Sequence, residues 1–416
     1  MTYRHFPPWL ILMGLITALG PLAIDMYLPA FVAIADDLQA STDTIELSLA
    51  SFFVGLAIGQ GVYGPLSDRF GRKPPLLFGL ALYTLAAAVC ALVPSGEALV
   101  AIRFVQALGG CAGMVIARAI VRDKTDPQDA AKAFSMLILI IGVAPILAPI
   151  AGSWVLSVAG WRAIFWFQVF AGTACFLWAW LGLQETHPGD DRRLSFRRVG
   201  ADYLELLRHR SFMGFSLTAA LAMGGFYTYL ATTPALMVRG YGLTPEQYAL
   251  LFGTNAAGFI LMSQVNAVLL RRRSMLAVLR AVIWIQPVAG IILGVMTLVN
   301  PLPPLWLLAP VIWILISSIG LISPNSSAAA LTQPGLRVGT ASALLGMLQF
   351  SLATFIVIVV GSLSNMDARP LGIVMMLTSV SALLMLKVVA RPERCQIKPM
   401  TTHQREELLE EQHISK

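Results

Sequence analysis

Long apolar runs alternate with short polar connectors along the whole chain. The runs cover 9–32, 44–65, 74–93, 97–120, 134–156 and 161–183, then 211–237, 247–270, 274–299, 303–323, 338–361 and 368–390. Each is close to the roughly 20 residues that an α-helix needs to cross a bilayer. None shows the two-residue alternation of a membrane strand. The pattern therefore predicts an all-α integral membrane protein of twelve spans. A polar stretch over 184–210 divides the runs into two sets of six. It holds Arg192, Arg193, Arg197, Arg198, Arg208 and Arg210, and it predicts a linker with a short amphipathic helix at Phe196–Leu207 on the membrane surface. The expected organisation is a first half over 1–183, a cytoplasmic linker over 184–210, a second half over 211–390 and a polar cytoplasmic tail over 391–416. Arg4 ahead of an apolar run mimics a signal peptide, but the run is too long, contains an acid and lacks a small-residue cleavage site. Six spans, a linker and six spans predict two halves related as parallel repeats, with a site between them. Only a weak echo of the connector at Gly64–Lys73 recurs, at Asn266–Arg273.

Composition agrees with a chain surrounded by lipid. It is 57% hydrophobic and 12% charged, with mean hydropathy +0.74, where soluble domains carry about 25% charged residues. The formal charge of +7 raises nucleic acid as a partner. Its placement removes that reading. Arg69, Arg72, Lys73, Arg122, Lys124, Lys132, the linker arginines, Arg271 to Arg273, Arg337 and the tail fall on one side. Arg162, Arg239 and Arg369 fall on the other, with Asp36, Asp37, Asp43 and Glu46. That asymmetry is a topology signal and puts both termini in the cytoplasm. Cys90, Cys111, Cys175 and Cys395 show neither metal nor disulfide spacing. No nucleotide loop, metal cluster or nucleophile triad is legible, so no cofactor and no ATP-driven step are expected.

Asp25 is the one acid read inside a span, with Pro21 and Pro29 on either side. A carboxylate in the membrane is costly and needs a reason. It suits a proton carrier whose charge changes as its surroundings change between apolar and aqueous. It lies sixteen residues into its span, or about 24 Å along a helix, so a hydrated acid near the outer surface is the alternative. Arg103 begins a stripe with Gln106, Gly110, Gly113 and Ala117, spaced 3, 4, 3, 4. That stripe faces either a cavity or a close neighbour. The alternative for Arg103 is a side chain reaching to the interface. Gly142, Pro145, Pro149 and Gly152 give the fifth span a small face with two prolines, which suits a bending element or close packing. Ser51, Gly55 and Gly59 read as packing. Phe226, Tyr227 and Tyr229, with Asn255 and Asn325, suit an amphipathic ligand and equally suit interface belts and helix glue.

The connector Gly64-Pro65-Leu66-Ser67-Asp68-Arg69-Phe70-Gly71-Arg72-Lys73 resembles the signature loop of the major facilitator superfamily, between its second and third helices. Arg103-Phe104-Val105-Gln106 with Gly109 and Gly110 is similar to the second motif. Pro145, Pro149 and Gly152 are similar to the antiporter motif, with Ala148-Pro149 where Gly-Pro is usual. Ile24-Asp25-Met26-Tyr27-Leu28-Pro29 is similar to the first helix of the Bcr/CflA drug-resistance subfamily, and the likeness extends to Trp161–Trp166 and Glu185-Thr186. The resemblance implies the twelve-helix major facilitator fold and a monomeric drug:proton antiporter of the bacterial inner membrane. It would be driven by the proton gradient and act on bicyclomycin or amphenicol-like antibiotics. It further implies proton coupling at Asp25 and Arg103, and gating at Gly64, Asp68, Arg69, Gly71, Arg72, Pro145, Pro149 and Gly152. Substrate contacts would fall to Tyr27, Gln106, Phe226, Tyr227, Tyr229, Asn255 and Asn325. Wider multidrug relatives carry a second acid where this chain has Thr17, so one proton per cycle and neutral drugs are expected. A proton-linked exporter or importer of a small metabolite such as an amino acid is the second reading. A membrane enzyme or scaffold is a third, disfavoured by the lone acid and the missing catalytic cluster.

Overall fold

The computed structural model describes residues 7–124, 144–187, 189, 196–333, 338–363 and 367–391. Lys132, Gly142, Arg192, Arg193, Arg337, the first residues of the fifth span and the tail beyond Arg391 lie outside the described residues. Every element described is helical. The first span is α1 (Pro8–Asp25), a 3-10 turn at Leu28–Ala30, and α2 (Phe31–Asp37). Pro29 causes the break. It has no N–H to donate, and its ring blocks the carbonyl four residues back, which is that of Asp25. The second span, α3 (Thr42–Phe70), is capped by Ser41, whose hydroxyl accepts from the N–H of Thr44 at 3.1 Å. Then come α4 (Lys73–Cys90), α5 (Gly96–Lys124), α6 (Ala144–Ala159) and α7 (Trp161–Gly182). Between the halves lies α8 (Phe196–Arg208), a helix where one is expected, with Leu206 buried in one cluster with Phe212.

The second half is α9 (Arg210–Ala235), α10 (Pro245–Leu269), α11 (Met275–Val282), α12 (Ile285–Val299), α13 (Leu305–Leu331), α14 (Val338–Leu363) and α15 (Arg369–Leu384). A π turn extends α9 through Leu236–Gly240, and another extends α15 through Met385–Ala390. A box in which Thr244 and Gln247 bond each other's backbone fixes the start of α10. Among the described residues, ten helical stretches are long and apolar enough to span a membrane, with α1–α2 and α11–α12 each counted as one. The other two expected spans are α6, described over sixteen residues, and α9, whose glycines, threonines and tyrosines dilute its hydropathy.

The repeat that sequence identity does not show is visible in the packing. Spans two and four pair (α3 with α5), as do eight and ten (α10 with α13). Spans three and six pair (α4 with α7), as do nine and twelve (α12 with α15). Spans one and four pair (α1 with α5), as do seven and ten (α9 with α13). Large apolar side chains cover the outside of the bundle, including Phe78, Leu92, Phe170, Val299 and Trp306. An apolar exterior is what a lipid solvent selects.

Two expectations need correction. The connector at Gly64–Lys73 is not a ten-residue hinge. The helix α3 runs on through Pro65 to Phe70, and only Gly71 and Arg72 separate it from α4. The polar groups of 67–68 are satisfied in the last helical turn, by Arg72, so no loop is needed to solvate them. Gly64 is helical with open space around it, whereas Gly71 takes φ +82°, a conformation that favours glycine. The second correction concerns acids. Glu46 lies inside α3 at 1% exposure, so Asp25 is not the only buried acid.

Candidate functional site

Asp25 ends α1 at 4% exposure, and none of the described residues forms an ion pair with it. It looks across the interface toward the second half, within electrostatic reach of Tyr248 on α10. The helix α6 is locked to the same spot. A Cβ added at Gly152 would overlap the carbonyl of Met26, the residue after Asp25. Gly152 therefore lets α6 touch the break directly, beside the buried Pro149 and the half-buried Pro145.

Arg103 is wholly buried within the first half. Its guanidinium stacks 4.2 Å from the ring centre of Phe52 and 4.7 Å from that of Tyr27. It donates to Gln106 Oε1 at 2.8 Å, and Gln106 donates onward to Gln168 Oε1 at 2.7 Å. Its Nε and Nη2 have no hydrogen-bond partner among the described residues. The Tyr27 hydroxyl meets Ser48 Oγ at 2.7 Å. Arg103 thus neither reaches the interface nor touches Asp25. It holds Tyr27, two residues further along the break. Such a desolvated cation on aromatic faces is worth about 2 kcal/mol per contact. Gly110 and Gly113 of its stripe press on Tyr83 and Ile16, so that stripe faces close neighbours.

In the second half, Tyr227 sits edge-on to Phe53 of α3 at 5.1 Å, and Phe53 stacks on Phe350 of α14 at 6.1 Å. Phe226 lies 6.2 Å from Tyr227. These rings join the two halves. The Asn255 amide donates to the Tyr229 hydroxyl at 3.1 Å, inside the second half. Asn325 donates to Asn266 Oδ1 at 2.6 Å and ties α13 to α10. The structure therefore does not bring Tyr27, Gln106 and Asn325 together with the aromatic group.

At the end of the bundle holding Gly71, Arg72 is the hub. It donates to Asp68 at 2.5 Å, Asp123 at 2.8 Å and Ser67 at 3.0 Å. Burial alone would make its charge less favourable, and the hydrogen-bonded carboxylates Asp123 and Asp68 more than offset that. Arg69 lies over the ring of Phe70. Glu185 accepts the backbone N–H of Arg72, Lys73, Thr186 and His187 at 2.8 to 3.1 Å. Partial burial pushes its carboxyl up, but these donors outweigh it and hold it below its ordinary value. That stabilisation is present above the ordinary carboxylate range and is lost as pH falls through the lowered one. Because Arg72 is 3% exposed and Asp68 is 66% exposed, their substitutions should differ. Arg72→Ala should lower stability by about 3–5 kcal/mol, and Asp68→Asn by about 1 kcal/mol or less. Thermal unfolding in detergent reads the difference, and equal losses would contradict it.

At the opposite end, Arg239 of the second half bonds Asp36 at 2.5 Å and Thr42 at 2.6 Å in the first. The contacts of α2 and the 3-10 turn with α9 and α10 lie at this end too. The halves are therefore closed together opposite Gly71.

Two helical halves around a buried carboxylate that has no ion pair among the described residues, with apolar groups on the outside, define a polytopic membrane transporter. The model of the Major Facilitator Superfamily matches residues 13–358, and the chain belongs to that superfamily. It is 37% identical over 380 residues to the uncharacterized MFS-type transporter YdgK of Bacillus subtilis (strain 168), covering 89% of this chain and 92% of that one. It is 29% identical over 383 residues to the Bicyclomycin resistance protein homolog of Haemophilus influenzae, covering 92% and 94%. The crystal structure of a D-xylose-proton symporter superposes with a TM-score of 0.69 at 13% identity, over 92% of this chain and 97% of that one, and so shares the fold.

Sequence reasoning missed Gln168, Asp123, Phe53, Phe350, Tyr248 and the burial of Glu46. One signal was available for the last. Glu46, Phe53 and Gln60 are spaced by seven, so they line one side of α3.

Proposed function

We propose that the protein exports small drug-like molecules from the cytoplasm in exchange for protons, by alternating access between a half over 1–183 and a half over 211–390. The observation that carries the reading is Asp25, a buried carboxylate with no cation partner, at a helix break between the halves. A group so placed trades its proton with water or with a ligand when the halves move. The Lys and Arg distribution supports a cytoplasmic position for the Gly71 end, in a bacterial inner membrane. This conformation is then the one closed to the outside. The similarity to a protein named for bicyclomycin resistance supports an antibiotic of that kind or an amphenicol as substrate.

The rings of Phe53, Tyr227, Phe226 and Phe350 supply an apolar wall for such a molecule, and Tyr229 with Asn255 a polar one. In this reading Asp68 changes partner between states, and Gly71 and Gly152 are the points where helices pivot without a side chain in the way. The test is addition of bicyclomycin or florfenicol to purified protein in weakly buffered detergent. Proton release on binding is expected. No release by either drug, together with no gain of resistance in a strain stripped of other pumps, would leave drug:proton exchange without support.

A further inference from the structure

Glu46 is a buried acid with no part in the exchange proposed above. It lies one turn past Thr42 on α3, at the end where Arg239 ties the halves together. Its exposure is 1%, and neither carboxylate oxygen has a hydrogen-bond partner among the described residues. The side chain is directed at α14, since a Cβ added at Gly361 would stand 3.3 Å from Glu46 Oε2. Glu46 is the first of three positions, seven apart, that form the seam between the halves. Phe53 faces Phe350, and Gln60 lies against Gly346. The contact partners run 361, 350, 346 as α3 runs 46, 53, 60, so the two helices pack antiparallel along this seam.

We propose that Glu46 is a second proton-binding site, one that latches the outer ends of the halves together when protonated and releases them when ionised. The inference deepens the proton-exchange reading above and rests on it for its role in transport, but the latch itself is readable without drug. An ionised carboxylate shut in this seam would have neither water nor a donor, which is costly. The neutral acid fits the closed seam, and separation of α3 from α14 lets water reach the anion. The proton goes to solvent on opening and is taken back before closing.

Among the described residues, the surroundings offer nothing that would neutralise the anion instead. On α3 itself, Asp43 is a like charge. On α2, Asp36 is bonded to Arg239 and Asp37 to Arg162. Glu97 on α5 and Cys90 on α4 are not cations, and α14 carries no titratable group among its described residues. Arg103 on α5 is stacked between Phe52 and Tyr27. Arg239 is bonded through Nη2 to Asp36 and through Nη1 to Thr42, and its ion pair among the described residues is with Asp36.

The experiment labels the exposed positions Gln39 and Glu246, changed to cysteine in a full-length protein with Cys395→Ser. The separation of the labels is measured by pulsed electron–electron resonance across roughly pH 5 to 9, without drug. A single ionising latch changes the open-to-closed ratio by up to about tenfold per pH unit through its titration. Wild type should open with rising pH in that way. Glu46→Gln should stay closed, with less than about twofold change over the same range, while Glu46→Asp should keep the pH dependence. Asp25→Asn should also keep it. A Glu46→Gln protein that opens with pH as wild type does would overturn the proposal, as would loss of the response in Asp25→Asn alone. Failure of drug-driven proton release, with this titration intact, would instead count against the exchange reading.

Discussion

Asp25→Asn should reduce uphill drug export to the level of vesicles without protein, while the variant still folds, reaches the membrane and binds drug. The substitution is nearly isosteric and replaces a group with no ion-pair partner among the described residues, so little packing is at stake. What it removes is the exchangeable proton. An amide at the break between α1 and α2 presents the same neutral face in every state, and the drug then equilibrates instead of being pumped. Reconstituted protein with an imposed pH gradient reads this directly, with downhill counterflow as the control for binding and movement. Uphill export by Asp25→Asn would show that another group drives the cycle.

The number of protons is then set by Asp25, because Glu46 gives its proton to the outer solvent on opening and takes it back there before closing. A neutral drug exchanged for one proton moves one net charge, and the membrane potential contributes about 2.3 kcal/mol per 100 mV to that movement. Exchange for two protons doubles that contribution. Thr17 stands where relatives carry a second acid, and the Glu46 proton does not cross the membrane, so one proton per cycle is expected. The dependence of transport on potential therefore distinguishes the counts.

Much of this architecture is legible in the sequence because lipid imposes long apolar runs and a charge asymmetry. Among the described residues ten of the twelve runs coincide with helices long and apolar enough to span a membrane, though α3 outlasts its expected end at 65 by a turn, reaching Phe70. Pro65 and Gly64 look like terminators in sequence but lie within the helix, since the true stop is the left-handed Gly71. Asp25 is legible because a single acid within an apolar run costs too much to be kept without a role. Glu46 is not, because it begins its run and reads as a loop residue until α14 covers it. Gln168, Asp123 and the contact that Glu185 makes are silent for a related reason. Each acts across 51 to 113 residues of chain, on Gln106 or Arg72, and polar pairing across such separations leaves no period in a sequence. The aromatic residues are legible as a group, but which ring meets which half depends on the seam between α3 and α14.

Arg103→Ala should abolish coupled export, and Arg103→Lys should lose most of it. The reason differs from direct pairing with the proton carrier. The guanidinium is held flat between Phe52 and Tyr27 and bonded to Gln106, so it fixes the aromatic side chain that follows Asp25 by two residues. It is a positioning residue for the helix break. Ala leaves a cavity between the rings and frees Tyr27, and a large-to-small change in such a core costs about 2–5 kcal/mol. Lys keeps the charge but not the planar fork, so it cannot stack on two rings and bond Gln106 together. A merely structural role would lower stability and leave the coupling of surviving protein unchanged. The decisive readout is therefore protons released per drug bound, normalised to folded protein. That ratio should fall in Arg103→Lys and fall again in a Tyr27→Leu variant, which removes the held ring while leaving Arg103 in place. Wild-type ratios in both variants would show that the Arg103 stack serves the fold alone, and full export by Arg103→Ala would remove it from the mechanism altogether.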